Sequence, residues 1–459
     1  MSHTLLARWG STLERSGSQR ALIHASTQET ISFSELDHRA KAWSDQWSKE
    51  LATLSGKAVI FAVANSSLWF EISLSLFRAG AIAVPVDSAE PLSAQRELAS
   101  ALRAGALWEG DRLVLLDEKN SPRRFRHPGT SLIKLTSGST GQPRPLIFTD
   151  QQLIADAEQV MSTMGIASQD LNYALIPFGH SYGLGNLSLP LLIAGVPVVC
   201  GTAALPRAIA DDFARWKPTV FAGVPALFRA LASSTDLRLD SLRLAISAGA
   251  PLSPEIATAF HHQFGRRIHS FYGSSETGGI TFDRDGDGAL HGTVGTALDG
   301  VRLTLLSGQR LQVSSAAVVT QGNRRRHQGE GAWVMADRVT QDVAGKLTLL
   351  GRRGSTVKIA GRRLELAEVS ARLKKVPGVS EVWVGVSGTA DNTLGAAVVS
   401  DRPVNELRRD LLALLPAWKV PRKWLRLENF PLTQRGKLDT ATLRAALFPP
   451  ATDGANSVR

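Results

Sequence analysis

Short apolar runs alternate with helix-period patterns through the first part of this chain. Ala58 to Val63 reads as a buried strand ahead of a helix around Leu68 to Arg78, and Thr219 to Ala222 stands ahead of a helix from Pro225 to Leu231. That alternation predicts an α/β unit, with parallel sheets covered by helices. Around Gly351 the pattern changes. G-R-R-G-S-T is a charged, turn-rich junction, followed by a strand (Val357 to Ile359), a helix (Ala367 to Lys375), two strands (Val379 to Val386, Thr393 to Val399) and a helix (Val404 to Leu415). A small α+β domain is expected there. The predicted boundaries are 1–350 for the large domain, 351–355 for the junction, 356–449 for the small domain, and a disordered tail over 450–459.

Between two strand-like runs, Ser131 to Leu135 and Pro145 to Phe148, lies L-T-S-G-S-T-G-Q-P-R, Leu135 to Arg144. Four of these ten residues carry hydroxyls and two are glycines. Such a loop can aim hydroxyls and bare N–H groups at one anion, as holding a triphosphate requires. The common phosphate loop, which ends in Gly-Lys-Ser/Thr at a helix start, does not fit, because Gly141 is followed by Gln142, Pro143 and Arg144. On its own the cluster is also compatible with a surface linker, the weaker of the two readings.

At 459 residues the chain is too long for one ordinary core, and its 43% hydrophobic and 20% charged residues are those of a globular protein. Cys200 is the only cysteine, so there is no disulfide framework or zinc cluster, and a reducing compartment is expected. The N-terminus lacks the apolar core of a signal peptide, and the longest apolar region, Leu187 to Cys200, is too short to span a bilayer. A cytoplasmic protein without membrane insertion is predicted. The net charge of +11 is uneven: from Arg352 onward there are 19 Lys/Arg against 10 Asp/Glu, and before it 33 against 31. A basic C-terminal segment suits an anionic partner, whether nucleic acid, a phosphorylated cofactor or an acidic protein, and on charge alone it suits an ordinary solvated basic surface at least as well. No aromatic-interleaved basic repeat or zinc-finger spacing points to nucleic acid.

Further segments point the same way as the loop. Phe271 to Gly279 reads F-Y-G-S-S-E-T-G-G, Trp333 to Arg338 reads W-V-M-A-D-R, and Pro431 to Asp439 reads P-L-T-Q-R-G-K-L-D. In order along the chain they join I-S-F-S-E-L (Ile31 to Leu36), R-A-G-A-I-A-V-P-V-D (Arg78 to Asp87), G-V-P-A-L-F (Gly223 to Phe228), S-A-G-A-P-L-S-P (Ser247 to Pro254) and G-T-V-G-T-A-L-D-G (Gly292 to Gly300). With these the chain resembles the adenylate-forming (AMP-binding) superfamily, which includes acyl- and aryl-CoA synthetases, luciferases and peptide-synthetase adenylation domains. The resemblance covers nearly the whole chain and implies a large multi-sheet N-terminal domain with a small mobile C-terminal one.

It also implies roles. Thr136, Ser137, Gly138, Ser139, Thr140 and Gly141 would wrap the β- and γ-phosphates of ATP, with Arg144 where the family usually has Lys. Ser275 would touch the α-phosphate and Glu276 would help hold Mg²⁺. Tyr272 and Gly273 would flank adenine, beside the backbone of Gly249, Ala250 and Pro251. Asp337 would accept from the ribose hydroxyls, assisted by Arg352. Lys437 would bridge the attacking carboxylate and the α-phosphate, with His180 at the acyl pocket and thiol entry. The substrate pocket would be formed by His180, Tyr182, Gly249, Gly273, Thr277 and Gly278. Gly354 would be the hinge, and Lys358, Ala360 and Gly361 the loop that serves the thiol step.

The expected activity is an ATP-dependent carboxylate–thiol ligase acting on an aryl or acyl acid, with CoA or the phosphopantetheine of an acidic carrier protein as the thiol. The alternative is a non-catalytic nucleotide-binding protein of the same fold. Amino-acid-activating relatives place an Asp where this chain has Gly179, so an α-amino acid substrate is disfavoured: its buried cation would have no partner. Departures from the pattern are Arg144-Pro145, Met335-Ala336 before Asp337, Gly354-Ser355 at the hinge, and a short N-terminal region.

Overall fold

The structure is a computed structural model, and it describes residues 4–116, 125, 129–137, 143–319, 331–352, 356–359, 361–387, 392–431 and 439–449. The chain divides into a large unit, residues 1–88, 95–136 and 144–354, and a small unit that takes the remaining residues. Gly138, Ser139, Thr140, Gly141, Gly354, Ala360, Lys437 and the 450–459 tail lie outside the described residues.

A nine-stranded sheet organises the large unit. Its order is Thr296–Ala297, Gly278–Phe282, Ile268–Ser274, Leu244–Ser247, Val220–Gly223, Asn172–Ala174, Val198–Cys200, Arg20–His24 and Glu29–Ser32. From Ile268–Ser274 to Arg20–His24 the strands run parallel, and antiparallel strands flank them on both sides. Val220–Gly223 and Leu244–Ser247 are buried along their whole length, which is why they read as unbroken runs without alternation. Ala222 and Ile246 face one core, while Phe221 and Ala245 face another with Phe228 and Phe260.

A second sheet orders Arg112–Leu115, Ala106–Glu109, Ala58–Phe61, Ile82–Pro85, Thr130–Ser137 and Pro143–Thr149. The helices Ser67–Arg78 and Asp150–Met164 share one core with both sheets: Trp69, Phe70, Leu153 and Val160 meet Leu132 and Phe148 from one sheet and Ile246 and Phe271 from the other. Phe148 is fully buried, so Phe148→Ala would cost about 3–5 kcal/mol through lost transfer energy and a cavity. The Asp150–Met164 helix starts at a capping box between Thr149 and Gln152 and ends at Gly165 in a left-handed conformation, φ 61°.

A four-stranded antiparallel sheet, Arg302–Leu306, Arg310–Ser314, Ala332–Gln341 and Leu347–Arg352, completes the large unit. Its buried Leu311, Val313, Met335, Val339 and Leu347 pack with Tyr272 and Ile280, bringing the Ala332–Gln341 strand against the edge of the nine-stranded sheet.

The small unit is α+β. A hairpin, Thr356–Ile359 with Arg362–Glu365, leads into the helix Leu366–Leu373, and a three-stranded sheet orders Val379–Val386, Leu394–Ser400 and Lys423–Leu427. Its core gathers Leu364, Val369, Leu373, Ala396, Val398, Leu407 and Leu411. The helix at Val404 ends at Leu412 rather than Leu415, because Pro416 follows and disfavours helical backbone at the residue before it. Among the described residues, no helix is long and apolar enough to cross a membrane.

Candidate active site

The hydroxyl-rich segment begins where the Thr130–Ser137 strand ends. The Thr136 hydroxyl donates to the Arg144 carbonyl at 3.4 Å, so the two ends of the segment stay together. The Arg144 guanidinium lies over the Trp333 ring, 5.7 Å from its centre. A planar guanidinium stacks on an indole better than an ammonium does, which gives the Arg in place of the usual Lys a local partner.

Trp333 and Asp337 lie on the Ala332–Gln341 strand. The buried Tyr272 hydroxyl donates to Asp337 Oδ2 at 2.8 Å, and Asp337 is itself buried. Asp337 stands directly opposite Arg352 in the antiparallel ladder with Leu347–Arg352. Strand pairing sets Asp337 opposite Arg352, and the packing of the two sheets brings Tyr272 to Asp337.

After Ile268–Ser274 the chain turns sharply. The Ser274 hydroxyl accepts from the backbone N–H of Glu276 at 3.2 Å and of Thr277 at 3.3 Å, and shares a 3.0 Å hydrogen bond with the Thr277 hydroxyl. This local turn presents Ser275 and Glu276. The Ser181 hydroxyl donates to Ser275 Oγ at 2.9 Å, tying the His180 segment to the same turn. Gly278 closes it with φ 71°, and a Cβ there would stand 2.1 Å from Asp156 Oδ1, so packing and backbone both demand glycine. At Gly273 a Cβ would meet the Gly278 carbonyl oxygen at 2.7 Å.

His180 is exposed and precedes the short helix Ser181–Gly183 and the π-turn Leu184–Ser188. Tyr182 is buried, with its hydroxyl 3.0 Å from the Ile246 carbonyl and 3.3 Å from that of Gly223. Burial pushes its phenol well above the usual range. Its ring packs 5.8 Å from that of Phe271, so Tyr182 joins the ends of two parallel strands. At Gly179 a Cβ would meet the Pro85 Cβ at 2.6 Å, which leaves no room for a side chain. Gly249, at φ 88°, begins the Gly249-Ala250-Pro251 segment that follows Leu244–Ser247. In the small unit, Lys358 stands opposite Arg363 in the hairpin and Gly361 makes its turn at φ 78°.

Sequence reading passed over two charged residues here. Lys134, on the strand leading to the hydroxyl segment, is 4% exposed, with its ammonium 3.9 Å from Asp156 Oδ2 and 4.4 Å from the centre of the Phe148 ring. Burial lowers its pKa, and the nearby carboxylates of Asp156 and then Glu276 oppose that shift. Asp156 Oδ1 accepts the Gly279 N–H at 2.9 Å. A lysine directly between the apolar residues Leu132-Ile133 and Leu135 was the available signal.

Among the described residues no three His, Cys, Asp or Glu side chains form a metal cluster. A lone carboxylate such as Glu276, beside hydroxyls, fits Mg²⁺ shared with phosphates, since that ion keeps most of its ligands from water and phosphate oxygens.

Comparison with known proteins adds sequence and fold relatives. Residues 117–319 match the family model described as AMP-binding enzyme. The chain is 25% identical over 340 residues to 4-hydroxybenzoate–CoA/benzoate–CoA ligase of Rhodopseudomonas palustris, covering 67% of this chain and 63% of that protein. It is 28% identical over 342 residues to benzoate–CoA ligase of Thauera aromatica, covering 68% and 65%. The matched region thus spans just under two thirds of the length of these relatives. In fold, the chain superimposes on an amide bond synthetase from Marinactinospora thermotolerans with a TM-score of 0.82 at 21% identity, covering 97% of this chain and all of that one. Residues 117–319 thus carry the signature of an AMP-binding enzyme, and the sequence relatives are consistent with the adenylate-forming superfamily.

Proposed function

We propose that this chain is an ATP-dependent acid–thiol ligase that activates an aryl or acyl carboxylic acid as its adenylate and passes the acyl group to a phosphopantetheine thiol, of CoA or of a carrier protein. The observation that carries the reading is one strand, Ala332–Gln341, which holds the hydroxyl segment's arginine at Trp333 and the Tyr272 phenol at Asp337. Four residues of extended chain separate these points by about 13 Å, a span suited to a nucleoside at one end and its phosphates at the other. The aryl preference draws on the benzoate-activating relatives, and Gly179 is packed too tightly to hold the acid that would pair an α-ammonium group.

In the first step a carboxylate oxygen attacks the α-phosphorus of ATP, an O–P bond forms, and pyrophosphate leaves. Mg²⁺ held by Glu276 would screen the phosphate charge. Ser275 donates its hydroxyl hydrogen to a phosphate oxygen, as does Thr136 once it leaves the Arg144 carbonyl, Arg144 adds positive charge, and Asp337 with Arg352 holds the ribose. Lys437 brings an ammonium between the incoming carboxylate and the α-phosphate, where negative charge accumulates. In the second step the thiol sulfur attacks the adenylate carbonyl, AMP leaves with the bond electrons, and the thiol proton passes to solvent. Gly354 is the pivot that exchanges Lys437 for Lys358 and Gly361 between the steps. His180 borders the thiol's approach.

Carboxylate-dependent ATP–pyrophosphate exchange over a graded panel of aryl and acyl acids tests the reading. Exchange with at least one acid, followed by thioester formation with CoA or a carrier protein, is expected. ATP binding without exchange across the panel would instead establish a non-catalytic nucleotide-binding protein.

A further inference from the structure

Lys134 has no place in the chemistry above, yet the fold retains its charge in a buried position. Desolvating an ammonium is costly, and an apolar side chain beside Phe148 would avoid that cost. The surroundings of Lys134 explain where the charge acts. It lies on the strand that leads into the hydroxyl segment, against the helix Asp150–Met164. Asp156, 4% exposed, approaches it at 3.9 Å, and with its other oxygen accepts the Gly279 N–H at 2.9 Å. Asp156 thereby links the Lys134 strand to the turn that carries Glu276. Asp156 and Glu276 are the two carboxylates whose charge acts on Lys134, Asp156 the more strongly.

We propose that Asp156 is a positioning residue that holds the Lys134 ammonium to itself, so that this buried cation is not drawn onto Glu276, the carboxylate assigned to the nucleotide's metal ion. The inference rests on the nucleotide-and-metal reading of the site. Within that reading, Asp156 sets the metal requirement without touching the metal. Neutralising Asp156 leaves Lys134 with Glu276 as its one strong acidic neighbour of the two, and the ammonium then competes with Mg²⁺ for the same oxygens. Removing Lys134 as well takes the competitor away. A purely structural pair would behave differently: its loss would lower stability and leave metal dependence alone.

The test is calorimetric binding of ATP to the full-length chain across a Mg²⁺ titration, with the thermal midpoint recorded in parallel. Asp156→Asn keeps an oxygen for the Gly279 N–H and removes the charge. It should raise the Mg²⁺ concentration for half-maximal ATP binding by about tenfold or more, as expected when a buried charge loses its partner. Lys134→Met/Asp156→Asn should return that concentration to within about threefold of the unaltered chain, whatever its thermal midpoint, since only a charge competition is relieved by removing the competitor. A half-saturating Mg²⁺ concentration that does not move in Asp156→Asn overturns the proposal. So does a double variant no better than the single one, because Asp156 would then act through the fold. Failure of the unaltered chain to bind ATP at any Mg²⁺ concentration overturns the nucleotide reading itself, and this proposal with it.

Discussion

Asp337 and Asp156 are both more than nine-tenths buried, at 7% and 4% exposure, and a different kind of group meets each of them. Asp337 accepts from a neutral phenol, that of Tyr272, at the nucleoside end of the site. Asp156 faces the ammonium of Lys134 and a backbone N–H beneath the phosphate end. A neutral donor can make room for a ligand hydroxyl without leaving an unpaired charge behind, whereas a buried ammonium cannot leave its partner cheaply. The first arrangement suits reversible contact with a ligand. The second suits a fixed support.

That contrast can be broken by substitution. Asp337→Ala removes the contact carboxylate itself, and kcat/KM for ATP–pyrophosphate exchange should fall by about a hundredfold, near 2.7 kcal/mol, while stability falls by only about 1–1.5 kcal/mol through the lost Tyr272 hydrogen bond. A comparable loss in both quantities would make Asp337 a support as well. Gly278→Ala attacks the other carboxylate, since a new Cβ at 2.1 Å would displace Asp156. Together with strained backbone at positive φ, this should cost about 2 kcal/mol of stability in denaturant unfolding and raise the Mg²⁺ requirement, as Asp156→Asn does.

Tyr272→Phe sharpens the comparison by removing the neutral donor and keeping the ring. Loss of one buried hydrogen bond should lower stability by about 1–1.5 kcal/mol, while exchange falls less than about tenfold. Trp333→Ala should have the smallest effect. Releasing Arg144 from its ring should raise the KM for ATP about threefold in steady-state exchange, in line with an exposed cation–π contact of about 0.5–1 kcal/mol.

Much of this architecture is legible in the sequence. The strand Val379–Val386 falls where the pattern predicts it, as does the start of the helix at Val404, because both carry uninterrupted local signals. The strands Arg362–Glu365 and Lys423–Leu427 do not stand out. Each is short, lies at the edge of its sheet and carries charges, so pairing rather than propensity makes it a strand. The same division runs through the site. Tyr272, Glu276 and Asp337 lie in segments with recognisable spacing. Lys134, Asp156 and the stacking of Arg144 on Trp333 depend on approaches between distant segments that no local pattern encodes. Thr136, Asp337 and Glu276 could be assigned roles by resemblance, while the supports beneath them required coordinates.

Gly179 bears on how such a protein could change over evolutionary time. By the resemblance described above, an acid at this position would go with amino-acid activation, and a single base change in the glycine codons GGT or GGC gives aspartate. Yet the space a Cβ would need is filled by Pro85, 2.6 Å away on the neighbouring sheet. An aspartate arriving alone would meet a clash before it met an ammonium, so a lineage could switch substrate class only after Pro85 had yielded. The barrier lies in the order of the changes.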